Sequence, residues 1–96
     1  MYTTFDAVRA EALFASALQP SDRPAVPEVR QAVAATLRQL RIQGCAAHLA
    51  GEFGDHPDAA ATRMRWALAT VRAAYPAHPV DDARPGRALR PLALAR

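Results

Sequence analysis

The stretch EFGDHPD, which begins at Glu52, holds the side chains of this 96-residue chain that are best suited to chemistry. Its charged and titratable members are Glu52, Asp55, His56 and Asp58. His48 lies four residues before Glu52, so on a helix the two would share one face and could bind a metal ion together. The spacing matches no ligand motif such as two histidines flanking a glutamate or paired CxxC. We therefore expect no metal, no cofactor and no catalytic residue here.

A boundary between two helices explains the same residues. Asp55 can cap a helix, and Pro57 and Asp58 suit a first turn, where a missing amide hydrogen is harmless and negative charge is favoured. Glu52 belongs to a charged row on the preceding helix, and Gly54 ends that helix. We interpret the stretch as a junction that joins two helices at an angle still to be determined.

Charge and composition argue against a strongly basic nucleic-acid-binding domain. The formal net charge is +3. Beyond Tyr75 the sequence has four arginines and two aspartates, so much of the excess positive charge lies in the C-terminal part of the chain. The apolar fraction is 51%, much of it alanine, and aromatic residues make up 6%. Because alanine buries little area, we expect a lone monomer to be marginally stable and a partner surface to contribute.

The cysteine content and the N-terminal residues predict a cytoplasmic protein. Cys45 is the single cysteine, so no internal disulfide can form, and its apolar helical context indicates a packing role. The opening MYTTFDAV lacks the positive and apolar regions of a signal peptide. No stretch approaches the ~20 apolar residues of a membrane span.

The sequence predicts an all-α fold with three main helices. Strand patterns are absent, because β-branched residues are sparse and no alternating run is flanked by hairpin turns. The helices are expected at about 4–18, 26–53 and 56–75, the last two forming an antiparallel αα-hairpin with the first packed across it. Residues 1–75 would form a single domain, and 76–96 would be a Pro/Arg-rich tail, extended or disordered.

The second helical run carries two apolar stripes. The first is bulky up to Leu40 and nearly bare after it, and its members fall within an arc of roughly 80°. The second lies on the opposite side and is strongest after Gly44. Either one long helix is sandwiched between two partners, or the chain bends near Gly44 and a separate helix follows. The first stripe comprises Val26, Val29, Val33, Leu37, Leu40, Gly44, Ala47 and Gly51; the second comprises Ala35, Ile42, Ala46, Leu49 and Phe53.

The third helical run has one apolar arc and one tryptophan outside it. Trp66 lies about 180° from the centre of that arc, on a face of alanine, threonine and Arg63. Tryptophan among small neighbours is typical of an interface anchor. The arc comprises Ala61, Met64, Leu68, Val71 and Tyr75, and the expected core is Val29, Val33, Leu37, Leu40, Met64, Leu68, Val71 and Tyr75.

Residues 44–68 resemble the helix-turn-helix family of bacterial DNA-binding regulators. That family places an alanine in a scaffold helix, a turn glycine four residues later and then a recognition helix. Under this resemblance 57–63 and Trp66 would face the DNA groove. A break that sets Cys45–Phe53 at a steep angle would favour this alternative, and a continuous helix through Gly44 would favour the hairpin. The matching positions are Leu49, Ala50, Phe53, Gly54, Pro57, Ala60 or Ala61, and Met64.

The chain as a whole resembles the short, uncharacterised Ala/Arg-rich helical proteins of actinobacteria. All twelve basic residues are arginine, which is typical of a GC-rich genome. From the residues themselves we predict a non-enzymatic protein-interaction or self-association module, a homodimer or a complex with another protein. The alternative is a helix-turn-helix DNA-binding transcriptional regulator using 45–66. The expected partner-binding residues are Trp66, Arg63, Ile42, Leu49 and Phe53.

Overall fold

The computed structural model describes residues 4–76, and this part of the chain contains helices and no strand. Helix α1 spans Thr4–Ala15, α2 spans Val26–Asp55 and α3 spans Pro57–Ala74. A short 3-10 turn, Pro20–Asp22, follows α1. The predicted all-α fold with three main helices is thus confirmed. Of the predicted tail, all but its first residue lies outside the described residues.

Contacts at the helix ends define how the three helices run. Arg30, near the start of α2, donates hydrogen bonds from Nε and Nη2 to the carbonyl oxygen of Ala74, at 3.0 and 2.6 Å. The end of α3 therefore lies beside the start of α2, as an antiparallel hairpin requires. Arg9 of α1 lies 4.0 Å from the ring centroid of Tyr75, which follows α3 directly. Helix α1 therefore packs across the hairpin and antiparallel to α3.

Helix α1 ends at Ala15, three residues before the predicted end. The Ser16 hydroxyl donates a hydrogen bond to the carbonyl oxygen of Leu13 at 2.6 Å, and the Ser16 amide bonds the same oxygen at 3.1 Å. A serine side chain that bonds nearby backbone competes with continued helix. The chain therefore leaves the helix at Ser16, before Pro20 would have stopped it.

Helix α2 continues through Gly44 and is broken three residues earlier, at Arg41. Arg41 has φ 64° and ψ 171°, so two helical segments, 26–40 and 42–55, meet at this residue. Essentially only glycine adopts this backbone region without strain, and another residue there costs about 1–3 kcal/mol. Of the two alternatives, an unbroken helix between two partners and a bend near Gly44, the structure has a bend, but it lies at Arg41 rather than at the glycine.

The break lets both segments of α2 pack against one core. The segment 26–40 buries Val29, Val33 and Thr36, whereas the segment 42–55 buries Cys45 and packs Leu49 against the core. On an unbroken helix these two sets would lie on nearly opposite sides. The backbone conformation of Arg41 therefore allows both sets of residues to pack against the same two helices, α1 and α3.

The core consists mostly of small side chains and differs from the predicted one. Leu40, expected inside, is 36% exposed at the break, while Val29, Val33 and Val71 are buried as expected. The buried arc of α3 is rotated by about 70° toward Trp66 relative to the prediction, because α3 contacts α1 as well as α2. The buried apolar residues are Ala10, Ala12, Leu13, Phe14, Val29, Val33, Cys45, Ala60, Ala67, Val71 and Ala74.

Two glycines of α2 provide a matched test of the break. A Cβ added to Gly44 would lie 3.0 Å from the Cβ of Leu40, whereas one added to Gly51 would meet nothing within 4 Å. Gly51→Ala should therefore raise the free energy of unfolding by about 0.5–1 kcal/mol, the usual gain from replacing glycine in a helix. Gly44→Ala should show no such gain. Urea unfolding at the lowest practical protein concentration measures both, and equal stabilisation would contradict the close approach at the break.

Candidate interaction surface

An apolar face on the 42–55 segment of α2 extends from the core to the protein surface. Ile42 is 57% exposed and Phe53 is 37% exposed, although both are large apolar side chains. Leu49, between them, is partly buried against the core, and Ala46 is exposed. At 1.5 Å per residue the row is about 16 Å long. We call Ile42, Ala46, Leu49 and Phe53 the α2 apolar face.

Phe14 of α1 supports the Phe53 end of this face. Phe14 is 2% exposed, and its ring lies parallel to that of Phe53 with centroids 6.2 Å apart. The His48 ring meets Phe14 edge-on at 6.1 Å. Offset-parallel and edge-to-face aromatic pairs at these separations are favourable. One side of Phe53 is therefore fixed by packing, while its outer side remains accessible.

Arg63 of α3 holds the C-terminal end of α1. Its Nε donates to the carbonyl oxygen of Phe14 at 2.8 Å, and its Nη2 donates to those of Ser16 at 3.1 Å and Leu18 at 2.8 Å, with a longer contact of 3.4 Å to that of Leu13. The last carbonyls of a helix have no partner within the helix and carry partial negative charge. The guanidinium of Arg63 supplies the missing donors.

The surroundings of the Arg63 guanidinium are aromatic on two sides. Its central carbon lies 5.6 Å from the Phe14 ring centroid and 5.0 Å from that of Trp66. Burial lowers the pKa of Arg63, and the negative charge of Glu52 opposes that shift. The group stays charged at neutral pH because the ordinary arginine pKa is far higher. Arg63 thus joins α3 to the end of α1 at one end of the bundle, within electrostatic reach of Glu52 on α2.

Trp66 lies beside this cluster and is partly buried. Its indole packs against the core, and Arg63 covers part of it. The face opposite the predicted arc is open only in part: Ala59, Thr62 and Ala73 are exposed, whereas Arg63 and Thr70 are partly buried like Trp66. Trp66 presents part of its surface to solvent rather than all of it.

The structure brings three of the five predicted partner-binding residues into one connected row. Phe14 lies between Phe53 and Arg63, and Arg63 in turn covers Trp66, whereas Ile42 lies at the far end of the α2 apolar face. Phe14 was not among the predicted site residues. The sequence does indicate Phe14, because it follows Leu13 at the end of the apolar pattern of α1.

The EFGDHPD stretch forms the junction between α2 and α3. Asp55 is the last residue of α2, His56 is the single residue between the helices, and Pro57 begins α3. The predicted capping role of Asp55 is wrong, since His56 occupies the cap position and no side chain bonds there. Within 4–76 no three histidine, cysteine or acidic side chains converge to hold a metal. Glu52 is half-buried near Arg63, and Asp55, His56 and Asp58 are exposed.

Two further features bear on chemistry. Burial raises the pKa of the Cys45 thiol, and the Glu11 carboxylate raises it further, so the thiol is neutral and poorly nucleophilic at neutral pH. A shallow depression of about 400 Å³ lies where the 3-10 turn meets the start of α3. Asp58 and Arg63 are the charged residues that line it, and Arg63 already bonds the carbonyls that end α1.

Comparison with known proteins returned no relative. No protein-family model matches the chain, and no curated protein or solved structure is significantly similar to it. None of the helices in the described part of the chain is both long and apolar enough to span a membrane.

Replacing Arg63 tests its role at the end of α1. Arg63→Ala should lower the free energy of unfolding by about 2–4 kcal/mol, because charge-assisted hydrogen bonds to several carbonyls are lost. Arg63→Lys should lower it by about 1–2 kcal/mol, because an ammonium keeps the charge but cannot reproduce the planar fork. The matched control is Arg65→Ala, because Arg65 is exposed and its Nη2 donates to the Thr62 hydroxyl. The free energy of unfolding of this variant should stay within about 0.5 kcal/mol of that of the wild type. Urea unfolding measures all three, and equal effects of Arg63→Ala and Arg65→Ala would refute the role.

Proposed function

We propose that this protein is a non-enzymatic self-association module that forms a homodimer through the α2 apolar face. The observation that carries the proposal is the exposure of Ile42 and Phe53 on a row that is continuous with the core. A monomer leaves these large apolar side chains in water, and burying them against a second copy is favourable. A compartment in which thiols stay reduced, such as the cytoplasm, fits the single buried Cys45.

The composition of the core also favours dimerisation. Within residues 4–76, five of the eleven buried apolar residues are alanine, which buries little area per residue. A chain of this length gains little net stability from its own core. Dimerisation adds buried area without requiring more chain.

Arg63 and Trp66 fit the border of this interface better than its centre. The Nε and Nη2 of Arg63 are occupied by the carbonyls at the end of α1, so they are not available to a partner. Trp66 is partly exposed beside Arg63, and tryptophan is favoured at interfaces because it combines a large apolar ring with one donor. We propose that the exposed part of Trp66 contacts the second copy at the Phe53 end of the face.

The break at Arg41 sets 42–55 apart as a separate segment, as the helix-turn-helix alternative requires, but three other features speak against that alternative. Only His56 separates α2 from α3, whereas the turn of that motif has three or four residues. Asp55 and Asp58 are exposed at the start of α3, where DNA phosphates would approach. Arg63, the basic residue that would face the groove, bonds α1 instead. Losing phosphate attraction removes most non-specific affinity.

Ile42→Asp should weaken self-association at least tenfold, because a carboxylate would be buried at the end of the interface. The control is Val26→Asp, which removes another exposed apolar side chain at the first turn of α2, where an acidic residue suits the helix. Sedimentation velocity at tens of micromolar compares these variants with the wild type.

A wild-type protein that sediments as a clean monomer would overturn the proposal, as would equal effects of the two variants. Binding to a DNA duplex at low salt, lost steeply as salt rises, would favour the alternative instead.

A further inference from the structure

The two segments of α2 bury sides that point away from each other. Relative to Val29, the buried residues of 26–40 are centred near 0°, at 100° per residue. Cys45, Leu49 and the half-buried Glu52 are centred about 160° away. An unbroken helix could therefore not place both sets against the same α1–α3 pair. It could place each set against a different pair, one on either side of the helix.

Arg41, where α2 changes direction between its two segments, has a strained backbone and neighbours that favour helix. Arg41 adopts φ 64° and ψ 171°, a region that costs a residue with a Cβ about 1–3 kcal/mol. Arginine, leucine and glutamine all favour helix. Each residue from Gln39 to Gln43 is exposed, so little buried surface opposes a change of conformation there. Straightening at Arg41 would thus relieve strain and extend the helix.

The contacts between the parts of the chain on either side of Arg41 can re-form between two chains. The Arg63 hydrogen bonds to α1, the Arg30 hydrogen bonds to Ala74 and the stacking of Phe14 on Phe53 each join a residue before Arg41 to one after it. If two copies exchanged everything after Arg41, each contact would be made once per bundle as before. Within each bundle only the backbone at the hinge, Arg41, would differ.

We infer that this protein self-associates by domain swapping, with α2 straightened at Arg41 and residues 42–76 exchanged between two copies. The inference rests on the self-association proposed above and specifies its form. A short hinge under strain favours such exchange, because the open form releases the strain. Ile42 directly follows the hinge on the same side as Leu49, so its exposed side chain lies where the two bundles of the swapped dimer adjoin.

Substitutions at the hinge should move the equilibrium between monomer and dimer in opposite directions. Arg41→Gly relieves the backbone strain in the kinked monomer and destabilises the straight helix of the dimer. Dimerisation should therefore weaken on the order of a hundredfold, because each dimer contains two such hinges. Arg41→Ala removes the same charge but keeps the Cβ, so it should retain the dimer. Sedimentation velocity measures both, and equal dimerisation of the two variants would contradict a strained hinge.

Gly44→Ala should strengthen dimerisation at least fivefold. Its Cβ would lie 3.0 Å from that of Leu40 in the kinked form, whereas residues four apart on an unbroken helix keep their Cβ atoms ~5–6 Å apart. Gly51→Ala adds a methyl group without any close contact, so it should leave the dimer affinity unchanged. Gly44→Ala without any gain over Gly51→Ala would contradict straightening at Arg41.

A distance measurement distinguishes swapping from a dimer of intact monomers. Spin labels are attached at Ala7 of α1 and Ala69 of α3, both exposed, in a Cys45→Ala background. The labelled chain is refolded with a large excess of unlabelled chain and its dimer is isolated. Swapping predicts that the short α1–α3 distance seen in the monomer is lost from the dimer, because the two labels then lie in different bundles.

A dimer that keeps the short distance would overturn the swapping inference and leave the proposed self-association standing. Absence of any dimer would overturn both.

Discussion

The two halves of α2 must each bury one side, and on an unbroken helix those sides would lie about 160° apart. A single compact bundle can satisfy both only if the helix changes direction between them. Arg41 provides that change with a backbone conformation usually reserved for glycine. The position of α1 over both segments, the close approach of Gly44 to Leu40 and the exposure of Leu40 and Ile42 all accompany this one break.

Two arginines join the ends of the helices around this broken helix. Arg63 donates to carbonyls at the end of α1, and Arg30 donates to the carbonyl of Ala74 at the end of α3. In each case a neighbouring helix supplies donors that the ending helix lacks. With many alanines in the core, such hydrogen bonds at the helix ends, together with the ring of Phe14, position the helices more specifically than apolar area alone.

The fold was largely predictable, and the site only in part. Proline positions and apolar periodicity located the three helices to within three residues at each end. The opposite stripes of α2 left two alternatives open, a long helix between two partners or a bend near Gly44. They could not place it at Arg41, because nothing in the local sequence favours positive φ there. The exposure of Ile42 and Phe53 followed from the second stripe. The role of Arg63 did not, because in a chain without lysine the choice of arginine carries no signal. Its partners, at the end of α1 and just after it, lie 45–50 residues away.

Backbone NMR chemical shifts report residue by residue whether Arg41 interrupts α2 in the monomer. In a sample dilute enough to be monomeric, we expect helical Cα shifts for Arg38 to Leu40 and again from Gln43 onward, with a non-helical shift at Arg41. Uninterrupted helical shifts from Arg38 through Cys45 in that monomer would contradict it.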